Sequence, residues 1–151
     1  MPTYTFSTAQ KLTAEHRARI VESVTSIHQL EATAPGYFVQ VIFYAVEPGA
    51  MFIGGERAPD DHIWVRADIR SGRTKEQKSR IMHRIMQETS DILQMSQGGI
   101  WVYISDIPAE SVAEFGVVLP QPGGEDEWLA ALPAELREKL LAVSRAKATL
   151  Q

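Results

Sequence analysis

Thr13-Ala-Glu-His-Arg-Ala-Arg-Ile20 and Thr74-Lys-Glu-Gln-Lys-Ser-Arg-Ile81 lie 61 residues apart and share Thr13/Thr74, Glu15/Glu76, Arg19/Arg80 and Ile20/Ile81. The same offset lays Val39-Gln-Val-Ile-Phe43 over Ile100-Trp-Val-Tyr-Ile104, and the opening Pro2-Thr3-Tyr4-Thr5-Phe6 over Ile63-Trp-Val-Arg-Ala67. A single register that matches strand, helix and strand in both halves marks an internal repeat.

Each half reads as a βαβ unit. The strands are apolar and β-branched, as strands buried on both faces tend to be. Thr13 and Thr74 suit helix N-caps, and Thr74 with Gln77 makes a capping box. Ile20, Val24 and Ile27 fall on one helical stripe, and Ile81, Ile85 and Ile92 on another. A helix between two strands makes them parallel neighbours with a right-handed crossover. The expected fold class is α+β: a four-stranded sheet with both long helices on one face. Met51-Phe-Ile-Gly-Gly55 adds a short strand or hairpin, and Leu119-Pro-Gln-Pro-Gly-Gly-Glu-Asp126 reads as turn chemistry. Pro133 opens a helix through Leu136, Leu140 and Leu141. The expected organisation is one domain over residues 1–151, with pseudo-repeats 2–60 and 63–118 and a C-terminal extension 119–151. The open face of such a sheet is apolar, so oligomerisation is expected.

The 151 residues are 44% hydrophobic and 23% charged, a globular balance. The absence of cysteine excludes disulfides, a thiol nucleophile and thiolate metal sites. A net charge of −4 argues against nucleic acid as a partner. No apolar run approaches the roughly 18 residues of a spanning helix, so no membrane partner is expected. His16, His28, His62 and His83 show no metal-ligand spacing, and no metal is expected. A cytoplasmic location fits this composition.

Several residues are candidates for chemistry. Arg70 and Arg73, in Ile69-Arg-Ser-Gly-Arg-Thr74, match uncharged Ala9 and Leu12 of the first half. Two guanidinium groups beside a helix N-terminus suit neither the dipole nor fold symmetry, but with Gly72 they suit a carboxylate or phosphate. The alternative is a solvated loop, or pairing with an acid such as Asp68. His28 sits on the buried helical stripe, as a core residue or a hydrogen-bond donor at a pocket edge. Tyr103 stands where the first half has Ile42, on the same strand face as Trp101. Glu114, in Ser111-Val-Ala-Glu-Phe-Gly116, has apolar neighbours and reads as a turn cap or as a base with a raised pKa. Pro2 either starts an edge strand or, once Met1 is removed, becomes a secondary amine at the chain terminus.

Pro after Met, two fused βαβ units, Arg-x-x-Arg, Trp101-Val-Tyr103 and Glu114-Phe-Gly116 together resemble the tautomerase superfamily, specifically the cis-3-chloroacrylic acid dehalogenase family. Ala34-Pro-Gly-Tyr-Phe-Val-Gln-Val-Ile-Phe43, His62-Ile-Trp-Val and Leu119-Pro-Gln-Pro-Gly123 match it as well, so the resemblance spans residues 2 to about 130. It implies that Pro2 is the catalytic amine, that Tyr103 and Glu114 activate water, and that His28, Arg70 and Arg73 bind substrate. It further implies a homotrimer with the open sheet faces turned inward, a small-molecule carboxylate as substrate, and no cofactor. Phe115 departs from the tyrosine expected after the glutamate, and Gly55-Glu-Arg-Ala-Pro-Asp60 is not diagnostic.

The implied chemistry is hydration, including hydrolytic dehalogenation, of an α,β-unsaturated acid such as a 3-haloacrylate. A free terminal amine titrates at about pH 8. A neighbouring Glu114 would keep Pro2 cationic and acidic, whereas the arginines and desolvation would leave it a neutral base for keto–enol tautomerisation. Malonate semialdehyde decarboxylation is a related alternative. A non-catalytic module binding an organic acid or a protein is the alternative of a different class.

Overall fold

The computed structural model describes residues 2–148; Met1, on whose removal the role of Pro2 depends, and the last three residues of the extension lie outside them. The 61-residue offset recurs in three dimensions. Helix α1 (Ala14–Ala32) and helix α2 (Lys75–Leu93) each have 19 residues. They end at Thr33 and Gln94, both left-handed, with φ of 51° and 55°. Each is followed by a short 3-10 turn, Gly36–Phe38 and Gln97–Gly99. Thr13 accepts the His16 N–H, and Thr74 with Gln77 forms the full capping box. These contacts satisfy backbone donors that a helix start would otherwise leave unpaired.

Strands β1 (Thr3–Thr8) and β2 (Gln40–Ala45) pair in parallel around α1. After the small hairpin of β3 (Phe52–Ile53) and β4 (Glu56–Arg57), β5 (Ile63–Arg70) and β6 (Ile100–Ile107) pair in parallel around α2. Antiparallel pairing of β1 with β5, Thr3 opposite Asp68, joins the halves into the order β2-β1-β5-β6. This is the expected α+β sheet.

One expectation needs correction. The strands are not buried on both faces. In β5, Ile63, Val65, Ala67 and Ile69 are buried while Trp64, Arg66 and Asp68 face outward. The inward set packs with Tyr4, Phe6, Ile20, Val24, Ile27, Ile81 and Ile85 into the main core. Two-residue alternation of this kind belongs to a sheet with helices on one side only. Ile42, Tyr44, Trp101 and Tyr103 remain exposed on the other side.

Beyond the repeats, β7 (Ala113–Glu114) and β8 (Val117–Val118) form a hairpin. Its two central residues, Phe115 and Gly116, have φ of 54° and 81°. That is the turn geometry matched to strand twist, and it is strained at a phenylalanine. Helices α3 (Glu125–Ala131) and α4 (Ala134–Ala148) follow. The predicted helix after Pro133 is α4, whereas α3 falls partly within the stretch read as turns. Trp128, Leu132 and Leu140 pack with Phe38, Ala109 and Leu119 into a second apolar cluster, which ties the C-terminal segment to the Gly36–Phe38 turn.

Candidate active site

Arg70 is the last residue of β5, and Arg73 directly precedes the α2 N-cap. His28 lies on the buried stripe of α1. These three line one small pocket together with Leu119, Pro120 and Glu125 of the C-terminal segment. The free space in it is about 10 Å³, enough for roughly one water molecule.

The two arginines have different environments. Arg70 is 5% exposed. Its Nη1 donates to the Pro120 carbonyl at 2.7 Å, and its Nη2 pairs with the Glu125 carboxylate. The alternative partner anticipated for these arginines, Asp68, instead pairs with Arg66 at 3.0 Å, because both side chains project from the open face two residues apart. Arg73 is half-buried and forms no hydrogen bond or ion pair among the described residues, and its Nε is enclosed without a partner. Burial and the neighbouring Arg70 charge lower its pKa. Such a cation stays enclosed at a cost that an anion would relieve. Gly72 lies between the arginines with φ of 106°, and a Cβ there would stand 2.7 Å from Pro122 Cγ. Glycine thus serves both the left-handed backbone and the close approach of the C-terminal segment.

His28 Nδ1 lies 2.8 Å from the Tyr4 hydroxyl, which is buried under the first helix. Burial raises the Tyr4 pKa, so the phenol keeps its proton, and which of the two groups donates follows the imidazole tautomer. With its proton on Nε2, the ring accepts from the phenol at Nδ1 and keeps a donor for the pocket. Burial and the charges of Arg73 and Arg70 push the His28 pKa down from 6.5 to about 3, so the ring is neutral. A folded-state pKa below the unfolded value gives stability that is complete above about pH 6.5 and is lost as pH falls toward 3. In acid titrations of stability followed by circular dichroism, His28→Gln is expected to flatten the slope between those limits; an unchanged slope would show that His28 does not titrate on unfolding.

The other three predicted residues lie outside this pocket. Pro2 is buried at the head of β1, and its carbonyl accepts the Gln40 N–H at 3.0 Å. Tyr103 is 53% exposed on the open face of β6, edge-on to Trp64 at 5.9 Å. Glu114 is half-buried in the β7–β8 hairpin, and burial raises its pKa. That shift suits a base, and only a tertiary contact can produce it. No group of His, Asp and Glu among the described residues could hold a metal ion.

Two residues at the site escaped sequence reasoning. Tyr4 stands opposite Val65 in the repeat register, so the comparison that marks Tyr103 would have marked it too. Glu125 carries a weaker signal: an acidic run after Gly123-Gly124 suits a helix start, but nothing local couples it to Arg70.

A family model described as "Putative oxalocrotonate tautomerase enzyme" matches residues 1–131. The solved structure of N1, a member of the cis-3-chloroacrylic acid dehalogenase family, is 41% identical, with a TM-score of 0.89, and the match covers 93% of this chain and 99% of N1. The chain belongs to the tautomerase superfamily, within the cis-3-chloroacrylic acid dehalogenase family. Native Ps01740 is 31% identical with a TM-score of 0.70, over 74% of this chain and 99% of that one. A fused 4-OT wild-type asymmetric trimer, 22% identical with a TM-score of 0.70 over 77% of this chain and 94% of its own, shares the fold. No curated protein matches the chain significantly. No helix among the described residues is long and apolar enough to cross a membrane. As a tautomerase-superfamily member the chain has the standing of an enzyme.

Proposed function

We propose that this family member is a cofactor-independent hydratase and hydrolytic dehalogenase of α,β-unsaturated carboxylates. The observation that carries the reading is the half-buried Arg73, unpaired among the described residues, beside Arg70 and neutral His28. A carboxylate there gains charge-assisted hydrogen bonds from the guanidinium groups and one from His28 Nε2–H. The cations draw electron density from the double bond and leave C3 electrophilic. Glu114, with its raised pKa, takes a proton from water as the water oxygen bonds to C3. Pro2, freed by removal of Met1 and protonated, gives its proton to C2. With a 3-haloacrylate the resulting halohydrin breaks its carbon–halogen bond and loses the hydroxyl proton, leaving malonate semialdehyde and halide.

In this reading Tyr103 orients the Glu114-activated water. It stands exposed on the open face, away from the pocket, so it reaches a site across an interface between chains. A homotrimer with open faces inward would cover Ile42, Tyr44, Trp101 and Tyr103 together, and the trimeric fused 4-OT neighbour supports that arrangement. One domain over residues 1–151 remains the proposed organisation. A second reading, ketonisation of a 2-hydroxydienoate with neutral Pro2 as base, is favoured by the burial of Pro2. The deciding test supplies cis-3-chloroacrylate and a 2-hydroxydienoate to purified protein whose intact mass shows Met1 removed. Halide and malonate semialdehyde are expected from the first; product at the uncatalysed rate would overturn the hydratase reading.

A further inference from the structure

The Arg70 environment has no place in the proposed chemistry. A substrate-binding arginine should present its fork to the pocket, yet both Nη atoms of Arg70 are occupied by the chain's own oxygens, from Pro120 and Glu125. Glu125 is itself held in position: its other carboxylate oxygen accepts the Gly123 N–H at 2.8 Å. Burial pushes the Glu125 carboxyl up, but the hydrogen bonds from Arg70 and the backbone outweigh this and keep it below the usual carboxylate range. It is therefore an anion at neutral pH. The pocket it closes has about 10 Å³ of free space, too little for a three-carbon acid.

We propose that Glu125 is an internal carboxylate that occupies the substrate's position on Arg70, so that residues 119–131 form a lid released by anion exchange. The inference rests on reading Arg70 and Arg73 as the carboxylate site. A substrate carboxylate meets Arg73 first, the cation without a partner among the described residues, and then displaces Glu125 from Arg70. The segment is built for this exchange. It is attached through the second apolar cluster, in which Trp128 packs edge-on to Phe38 at 5.4 Å, rather than through the main core. Pro122 rests on Gly72, where no side chain blocks its approach. Glu125 thus sets affinity and specificity: it excludes neutral ligands from Arg70 Nη2 and yields only to an anion able to replace the carboxylate oxygen it places there.

Propionate, saturated and unreactive, is the probe. Glu125→Gln is expected to bind it at least about tenfold more tightly than the wild type in calorimetry, since no internal anion competes. Equal or weaker binding, including no binding to either protein, would overturn the proposal. Hydrogen exchange on the wild type provides the second arm if the variant fails to fold. Propionate should accelerate exchange of the α3 amides, among them Trp128, whose N–H bonds the Gly124 carbonyl at 3.1 Å. Unchanged or slowed exchange would overturn the proposal. Neither readout uses turnover. Failure of the lid shows in binding and exchange alone, and failure of the hydratase reading shows in missing product with both effects intact.

Discussion

Arg70→Ala is expected to lower the free energy of unfolding by about 3 kcal/mol, whereas Arg73→Ala should leave it nearly unchanged. Removing one partner of a buried ion pair strands the other, at a typical cost of about 3–5 kcal/mol. The low end applies here because the Glu125 side chain is 21% exposed and can recover some hydration. Arg73 has no partner to strand among the described residues. Its loss should instead weaken carboxylate binding by roughly 10- to 150-fold, the equivalent of about 1.5–3 kcal/mol for hydrogen bonds to a charged group. Urea unfolding and propionate calorimetry on both variants measure the two quantities. Equal destabilisation by both substitutions would refute the division of roles between the arginines.

Glu114→Gln and Pro2→Ala should each lower kcat for hydration by about 10²–10⁴-fold, the usual worth of a positioned acid or base. Propionate affinity should stay within about twofold, because neither residue lines the arginine pocket. The sign of the pH dependence follows from the role of Glu114. A base works only when deprotonated, so kcat/KM falls as pH drops through its pKa. Burial raises that pKa, so the acid limb should lie above the ordinary glutamate value of about 4.3. The limb should vanish in Glu114→Gln. If that variant retains dienol ketonisation while losing hydration, Pro2 acts there without Glu114, as the second reading requires. A Glu114→Gln enzyme that still hydrates at the wild-type rate would remove the carboxylate from the mechanism.

The α+β sheet, both long helices and their caps were legible because each is specified locally and then written twice. Thr74 and Gln77 face each other across one helical turn wherever the chain places them, and the same holds for apolar residues three and four apart. Arg70 and Arg73 stood out because they break a repeat that would otherwise be symmetric, and His28 because it is a polar residue on a buried helical stripe; the three share one pocket. The α3 helix was not legible: seven residues after a Pro- and Gly-rich stretch carry too little periodicity to separate a helix from a turn.

Element type, strand pairing and the identity of the unusual residues follow from interactions over a few positions, which sequence spacing encodes directly. Charge state and availability do not. Arg70 and Arg73 are three positions apart in one motif, yet among the described residues one is paired and the other is not. Residue 125 folds back over the first and stops short of the second. His28 is neutral because burial strips water from the ring and the Arg73 and Arg70 charges oppose its protonation, while its Nδ1 meets the hydroxyl of Tyr4, 24 positions away. Desolvation and long-range pairing depend on what the folded chain brings within a few ångströms, and no local pattern of residues records that distance.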